Sequence, residues 1–380
     1  MDYDLIIAGA GPVGVSLARA MRGRKLALLA PARRVPRPPA EGVFDSRVYA
    51  MTPGNVAFLE SIGVWQAIAE SRRTPVHAMR VAGDDGASRI EFDAYRAGVP
   101  ALAWIVEDGA LQEALWRGLE ATLAEPEAIG FSEKSVLVKT RDGESLQARL
   151  VVGADGVDSL VRRAAGIATR QSDYGQAAVV ANFRIERAHR GTAFQWFQGG
   201  AVLALLPLPQ DQVSMVWSLP AAEAKRVLQL APDALCREVE SASRGALGRL
   251  ELAAAPRSYP LRRLSARQLV APRAALVGDA AHVIHPLAGQ GLNLGLQDVR
   301  ELAAILAACD ERRDPGDLRL LRRYERARAE PILAMNIAVE GLFTLFKGES
   351  RTLARLRNAG LNLVDRVPVL KNMLIRQAMN

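Results

Sequence analysis

Cysteine, histidine and aromatic residues are scarce in this chain, and the shortages close off whole classes of function. Cys236 and Cys309 are the only cysteines among 380 residues and lie far apart. That spacing fits neither a disulfide framework nor a cysteine metal site, and suits a reducing, cytoplasmic compartment. The four histidines are His77, His189, His282 and His285; the last two have no cysteine or acidic cluster beside them, so no metal is expected. No apolar run approaches the ~18–20 residues of a membrane span; the longest are Ala201–Leu206 and the stretch around Ile337–Phe346. A basic leader is missing too: Asp2 and Asp4 open the chain and a strand follows at once, so no signal peptide is expected. The lack of any repeat excludes solenoids and propellers and leaves a folded globular protein of one large or two ordinary domains. Acidic residues fall short of basic ones, 41 against 49, for a net charge of +8. The arginine surplus is spread over helical segments, without the motif or interleaved aromatics of a nucleic-acid binder. It suits a solvated surface or attraction to anionic lipid.

What the chain does have is glycine in ordered places: GAGPVG at Gly9–Gly14, GADGVDSLVR at Gly153–Arg162 and GDAAHVIHPLAGQGLNLGLQD at Gly278–Asp298. Asp4–Ala8 reads as a strand, Val13–Met21 as a helix and Lys25–Leu29 as a second strand, a βαβ opening. Gly9 then permits the tight turn, Gly11 lets the backbone approach a pyrophosphate, and Gly14 lets helix and strand pack closely. The amides of the helix start face the phosphates. The acidic residue that usually grips an adenosine ribose is absent where Ala30 stands, and no acid follows until Glu41. Arg33 and Arg34 would suit the phosphate of NADP in that slot, a reading the downstream motifs oppose. The second motif puts Asp155 at a strand-to-helix turn, which a capped helix alone would also explain. In the third, the buried strand Ala274–Val277 delivers Asp279, whose carboxylate can accept from ribityl hydroxyls. Gly289, Gln290 and Gly291 then open a helix running from Gln290 to Ala308, whose amides can stabilise negative charge on a reduced flavin near its N1–C2 edge. Together the motifs point to one FAD lying along a cleft, and so to redox chemistry.

Thr52–Ile62 reads as a helix capped by Thr52 with Pro53 in its first turn. Asp108–Leu123 reads as a helix with Leu111, Leu115 and Leu119 on one face, and hairpins are expected around Asp84–Gly86 and Asp142–Gly143. Between Tyr174 and Leu269, short alternating strands (Ala177–Ile185, Gln195–Phe197, Ala201–Leu206, Gln212–Ser218) predict an antiparallel sheet with a helical insert at Ala221–Ala242. Everything after Leu318 reads as helical. The expected fold class is α/β. A Rossmann-like FAD-binding domain comes in three pieces (1–75, 101–172, 271–330), interleaved with an antiparallel-sheet substrate domain (76–100, 173–270) and followed by C-terminal helices (331–380).

At these motifs the chain resembles the FAD-dependent aromatic hydroxylases of the para-hydroxybenzoate hydroxylase class, and more closely the ubiquinone-biosynthesis hydroxylases of bacteria. The likeness includes FDSRVYAMTPGNVAFLESIGVW at Phe44–Trp65, where Asp45 and Arg47 match a D-x-R pattern, and the tail LRNAGLNLVDRVPVLKNMLIRQAM at Leu356–Met379. The resemblance implies that Gly9, Gly11, Pro12, Gly14, Arg47, Asp155, Gly278, Asp279, Pro286, Gly289, Gly291, Leu292 and Asn293 are FAD-linked positions, with Gln112 on a helix that approaches the cofactor. Gly109 stands where many relatives have arginine and Ala30 where they have glutamate, which puts tight FAD retention in question.

The implied reaction is ring hydroxylation of a (polyprenyl) phenol or quinone precursor: NADH or NADPH reduces FAD, and O2 then gives a flavin 4a-hydroperoxide that transfers OH. The cofactor carries the chemistry while the protein positions the ring and excludes water. His285 is a candidate base because it precedes Pro286 at the flavin edge, and equally a packed structural histidine. Phe194, Trp196, Phe197 and Trp217 are candidates for substrate contact or for core. A homo-oligomer, a quinone-biosynthesis assembly and a peripheral contact of the C-terminal stretch with the inner membrane are open partners. The competing readings are a reductase or halogenase of the same fold, a non-catalytic or weakly catalytic FAD-binding accessory protein of a quinone-biosynthesis assembly, and an NADP-only dehydrogenase. The absence of a W-x-W-x-I-P motif lowers the halogenase.

Overall fold

The computed structural model describes residues 1–30, 40, 42–85, 88–120, 122, 124–285, 289–309 and 313–347. Pro286, the loop carrying Arg33 and Arg34, Gly86 and the tail 356–379 lie outside these residues.

The first strand, Tyr3–Ala8, is an apolar run buried from Leu5 onward, as a central parallel strand must be. It pairs in parallel with Leu26–Leu29 on one side and with Ser145–Gly153 on the other, and the latter pairs in parallel with Ala274–Leu276. The registers set Leu29, Ala8, Gly153 and Leu276 in one row. All three glycine motifs therefore leave the sheet from the same carboxyl edge, where open α/β sheets bind ligands. The helices Pro12–Ala20, Gln290–Ala307 and Asp108–Trp116 cover this sheet.

A second, eight-stranded sheet runs in the order His282–Val283, Leu250–Ala266, Thr169–Ile185, Gln212–Pro220, Ala201–Leu208, Thr192–Gln198, Ala78–Ala82, Arg89–Asp93. It is mixed rather than antiparallel as expected, because Thr192–Gln198 pairs in parallel with Ala78–Ala82. Strand alternation gives it two faces. Val179, Ala181, Phe183, Leu203, Leu205, Met215 and their neighbours pack under the helices Ala221–Leu228 and Pro232–Ala242. The helical insert is thus two helices, separated by a break before Pro232. The opposite face turns toward the FAD-binding sheet.

The helix expected over Asp108–Leu123 ends at Trp116. Arg19, buried on the first helix, donates to the carbonyls of Ala114, Leu115 and Arg117 and so satisfies the helix end. Arg117 then turns extended and Gly118 takes φ +65°. Leu119 keeps its apolar contact from outside the helix. The predicted N-cap holds: Thr52 accepts from Asn55 N, with Pro53 opening the helix Pro53–Ser61.

Candidate functional site

The groove begins where the first two motifs interlock. A Cβ on Gly9 would lie 2.2 Å from the Ala154 oxygen, and one on Gly14 would lie 1.9 Å from the Gly9 oxygen. Gly11 is different: nothing lies within 4 Å of where its Cβ would be, so it faces open space at the start of a helix that no side chain caps. Asp155 works inside the fold. One carboxylate oxygen accepts from Leu160 N at 2.7 Å and Val161 N at 3.1 Å, while the other is buried without a partner. Arg162 donates to Ala280 O at 2.8 Å and ties this turn to the third motif.

Gly278 takes φ +60° with Val13 and Gly295 pressed against it, and it hands the chain to Asp279. The Asp279 carboxylate opens into the groove and makes no hydrogen bond among the described residues. Burial of its surroundings raises its pKa, offset in part by His282 and Arg47. Gly289, at φ +62°, starts the Gln290–Ala307 helix without a side-chain cap, and Gly291 has nothing within 4 Å of a Cβ. Leu292 packs against the main core. The Asn293 side chain is committed to protein: it donates to Ala50 O at 2.7 Å and accepts from Asn55 Nδ2 at 2.8 Å, fastening the helix to the strand Val48–Met51.

Arg47, exposed at the groove mouth, faces Tyr49, Asp108, Tyr259 and Asp279; their attraction outweighs burial and raises its pKa. Tyr49 donates to Asp108 at 2.7 Å, and Gln112 donates to the same carboxylate at 3.2 Å. Burial holds the Tyr49 hydroxyl well above its ordinary pKa. Asp45 accepts from Gly109 N at 3.1 Å, so the D-x-R segment is pinned to the backbone at Gly109. Asn182 on the second sheet donates to the carbonyls of Phe44 and Asp45, at 2.8 and 3.0 Å.

The second sheet supplies a floor beneath this groove. Asn182, the cluster that holds Phe44 and Ala193, and the Phe197–Ile284–Leu294 cluster close its margins. Between them, Val180 pairs with Val216 and Val216 with Ala204, and the last two remain only half-buried in mid-sheet. Of the four candidate aromatics, Phe194, Trp196 and Trp217 lie on the far face under the helical insert; only Phe197 packs on the groove side.

His285 is fully buried. Its ring meets Tyr174 edge-on at 4.8 Å, and its Nε2 bonds to Gln176 Oε1 at 3.0 Å. Because Gln176 Nε2 donates to Gly200 O, its Oε1 must accept, which makes His285 Nε2 the donor. Burial brings its pKa down to about 4, so the ring is neutral at physiological pH. The unfolded chain, with an ordinary histidine, binds the proton first as pH falls. Stability should therefore drop from pH 6.5 to about 4 by roughly 3 kcal/mol. Chemical denaturation of His285→Gln should lack that slope; an unchanged slope would refute the assignment.

Sequence reasoning missed Asp298, although it ends the third motif. Buried completely, it accepts from His282 Nε2 at 2.6 Å, Arg328 Nε at 2.7 Å and Gly278 N at 3.0 Å. His282 is thus accounted for without a metal, and no cluster of three metal-ligating residues occurs among the described residues.

Open glycine backbone at two uncapped helix starts, with an unbonded carboxylate between them, fits a dinucleotide with a polyhydroxyl chain. Residues 2–336 match the family described as FAD binding domain. The chain is 34% identical to ubiquinone hydroxylase UbiL of Rhodospirillum rubrum, over 99% of this chain and 89% of that protein. It is 32% identical to the 3-demethoxyubiquinol 3-hydroxylase of Escherichia coli, over 99% and 98%. The fold resembles that of Klebsiella pneumoniae HpxO complexed with FAD and uric acid, with a TM-score of 0.78 at 18% identity over 99% of this chain and 97% of that one. The chain belongs to the FAD-binding family, in its ubiquinone-hydroxylase branch, and its cofactor is FAD.

Proposed function

We propose that this protein hydroxylates the aromatic ring of a polyprenylated phenol or quinone precursor in ubiquinone biosynthesis, with NADH or NADPH as electron donor and O2 as co-substrate. The observation that carries the reading is the half-open sheet floor at Val180, Val216 and Ala204, facing a groove built for a flavin dinucleotide. Bound FAD supplies the electron transfer and the oxygen activation.

The residues divide the remaining work. Gly9, Gly11, Pro12 and Gly14 admit the pyrophosphate to the backbone, and Asp279 accepts from the ribityl hydroxyls. The helix start at Gly289–Leu292 stabilises negative charge at the ring edge. Arg47 neutralises Asp279 and Asp108 at the mouth, with Gln112 and Tyr49 fixing Asp108. Asp155, Gly278 and Asn293 hold the turns in place. His285, neutral and donating to Gln176, shapes the wall and keeps water out rather than taking the substrate's proton. A ring with an apolar tail suits the sheet face of Val180, Val216, Ala204 and Phe197, and brings a peripheral contact with the inner membrane.

Expression in cells lacking each endogenous ring hydroxylase in turn tests the reading. Mass spectrometry should show that one accumulated quinone precursor disappears and its hydroxylated product forms. If none is consumed although the purified protein turns yellow in FAD, the accessory-protein reading replaces this one. A specific feature favours that rival: Ala30 is buried with its N–H bonded to Thr122 O, and offers the ribose no acid.

A further inference from the structure

We propose that the outer face of the helix Leu318–Lys347 is a docking surface for an anionic lipid bilayer. Leu321, Tyr324, Arg328 and Val339 on its inner side are buried. Arg319, Arg322, Arg323 and Arg326 recur at i, i+3, i+4 and i+7 on the opposite side, and all four are exposed. None makes an ion pair or a side-chain hydrogen bond among the described residues. A solvated helix usually interleaves acids with such a row, since like charges three or four residues apart repel. Here Glu325 turns inward and accepts from Leu269 N at 2.9 Å. Glu330 is the carboxylate that shares the face, and it leaves the cations in excess.

Continuing along the same side, Leu333 and Ile337 stand 60% and 64% exposed, more than any other large aliphatic side chain of the described residues. Cations followed by bare aliphatics along one helix face match the chemistry of a bilayer interface, headgroup phosphates for the first and acyl chains for the second. A nucleic acid or an acidic polypeptide would satisfy the arginines and leave Leu333 and Ile337 in water. The sequence beyond residue 347 keeps the same character, with Arg351, Arg355, Arg357, Arg366, Lys371 and Arg376 among aliphatics. The inference deepens the membrane contact suggested by a polyprenylated substrate and rests on it only for the purpose of docking, not for the geometry.

Flotation of the full-length, FAD-loaded protein tests it, using phosphatidylcholine vesicles with and without phosphatidylglycerol. Wild type should float with the anionic vesicles only, and salt should release it. The full-length variant R319Q/R322Q/R323Q/R326Q should lose roughly a hundredfold or more in partitioning, and L333S/I337S should also weaken it. Both variants should keep wild-type Tm, FAD affinity and hydroxylation of a short-chain, water-soluble precursor. Equal flotation of the arginine variant, binding of wild type to neutral vesicles, or binding of an acidic polypeptide but no vesicle would each overturn the surface. Failure to hydroxylate the soluble precursor would count against the proposed function and leave the flotation result standing.

Discussion

Replacing Asp298 with asparagine should destabilise the folded chain by about 3–5 kcal/mol and loosen FAD by roughly tenfold or more. Asp298 has no solvent contact and balances Arg328, which is itself buried on the long helix. Burial alone would raise its pKa, but His282, Arg328 and the Gly278 N–H outweigh that and hold it below the usual carboxylate range. Asparagine leaves the Arg328 guanidinium buried without an anion, the expensive half of breaking such a pair. The cofactor effect follows from geometry. The same carboxylate anchors Gly278 N, one residue before Asp279, and the His282 ring that faces Asp279. Urea unfolding of the apoprotein and FAD titration by fluorescence separate the two losses. A double variant, D298L/R328M, removes both charges and should recover most of the stability while FAD affinity stays low. Recovery of both would mean that the carboxylate matters to the fold alone. Because its pKa is depressed, the contribution of Asp298 is complete above the ordinary carboxylate range and fades only as pH falls below it. Acid unfolding should thus begin with His285, at pH 6.5 and below, before Asp298 takes part.

The parts of the site legible in the sequence are those where backbone geometry dictates the residue. Gly9, Gly14 and Gly278 are read from spacing because a side chain there meets another chain segment at close range or because φ is positive. Contacts between distant segments carry no such signature. Asn182 looks like any strand residue until its amide is seen to hold Phe44 and Asp45, and Arg328 like any helical arginine until Asp298 is found beneath it. The strand Leu250–Ala266 escaped detection for a related reason. Among the described residues, only the two-residue strand His282–Val283 lies beyond it in the sheet, so most of its outer edge makes no strand pairing and tolerates Pro256, Pro260 and several arginines. Its sequence therefore shows no apolar alternation, and Tyr259, which it brings toward Arg47, was invisible with it. The aromatics failed differently. Alternation does separate Phe197 from Phe194 and Trp196, but which face meets the groove depends on where the helical insert packs, and no single strand encodes that.

Two one-methyl substitutions in the first turn should give opposite signatures. Gly14→Ala places its Cβ 1.9 Å from the Gly9 oxygen and 3.1 Å from the Ala154 Cβ. The first of these contacts is with backbone at the end of the central strand, so relief requires the helix Pro12–Ala20 to move off the sheet. Overpacking of this kind costs about 1–3 kcal/mol or more, and the displaced amides should lose FAD along with stability. Gly11→Ala meets no protein atom within 4 Å, and the backbone at Gly11, flanked by φ −73° and ψ 177°, accepts alanine without strain. The apoprotein should keep its unfolding midpoint. The added methyl nevertheless points into the open space proposed for the pyrophosphate, so FAD affinity should fall by roughly tenfold, about 1.4 kcal/mol. Thermal unfolding of the two apoproteins and FAD titration of each make the comparison. Wild-type FAD affinity in Gly11→Ala would place the pyrophosphate elsewhere and remove the first motif from the cofactor site, whereas a lowered midpoint in that variant would show the methyl striking protein rather than ligand space.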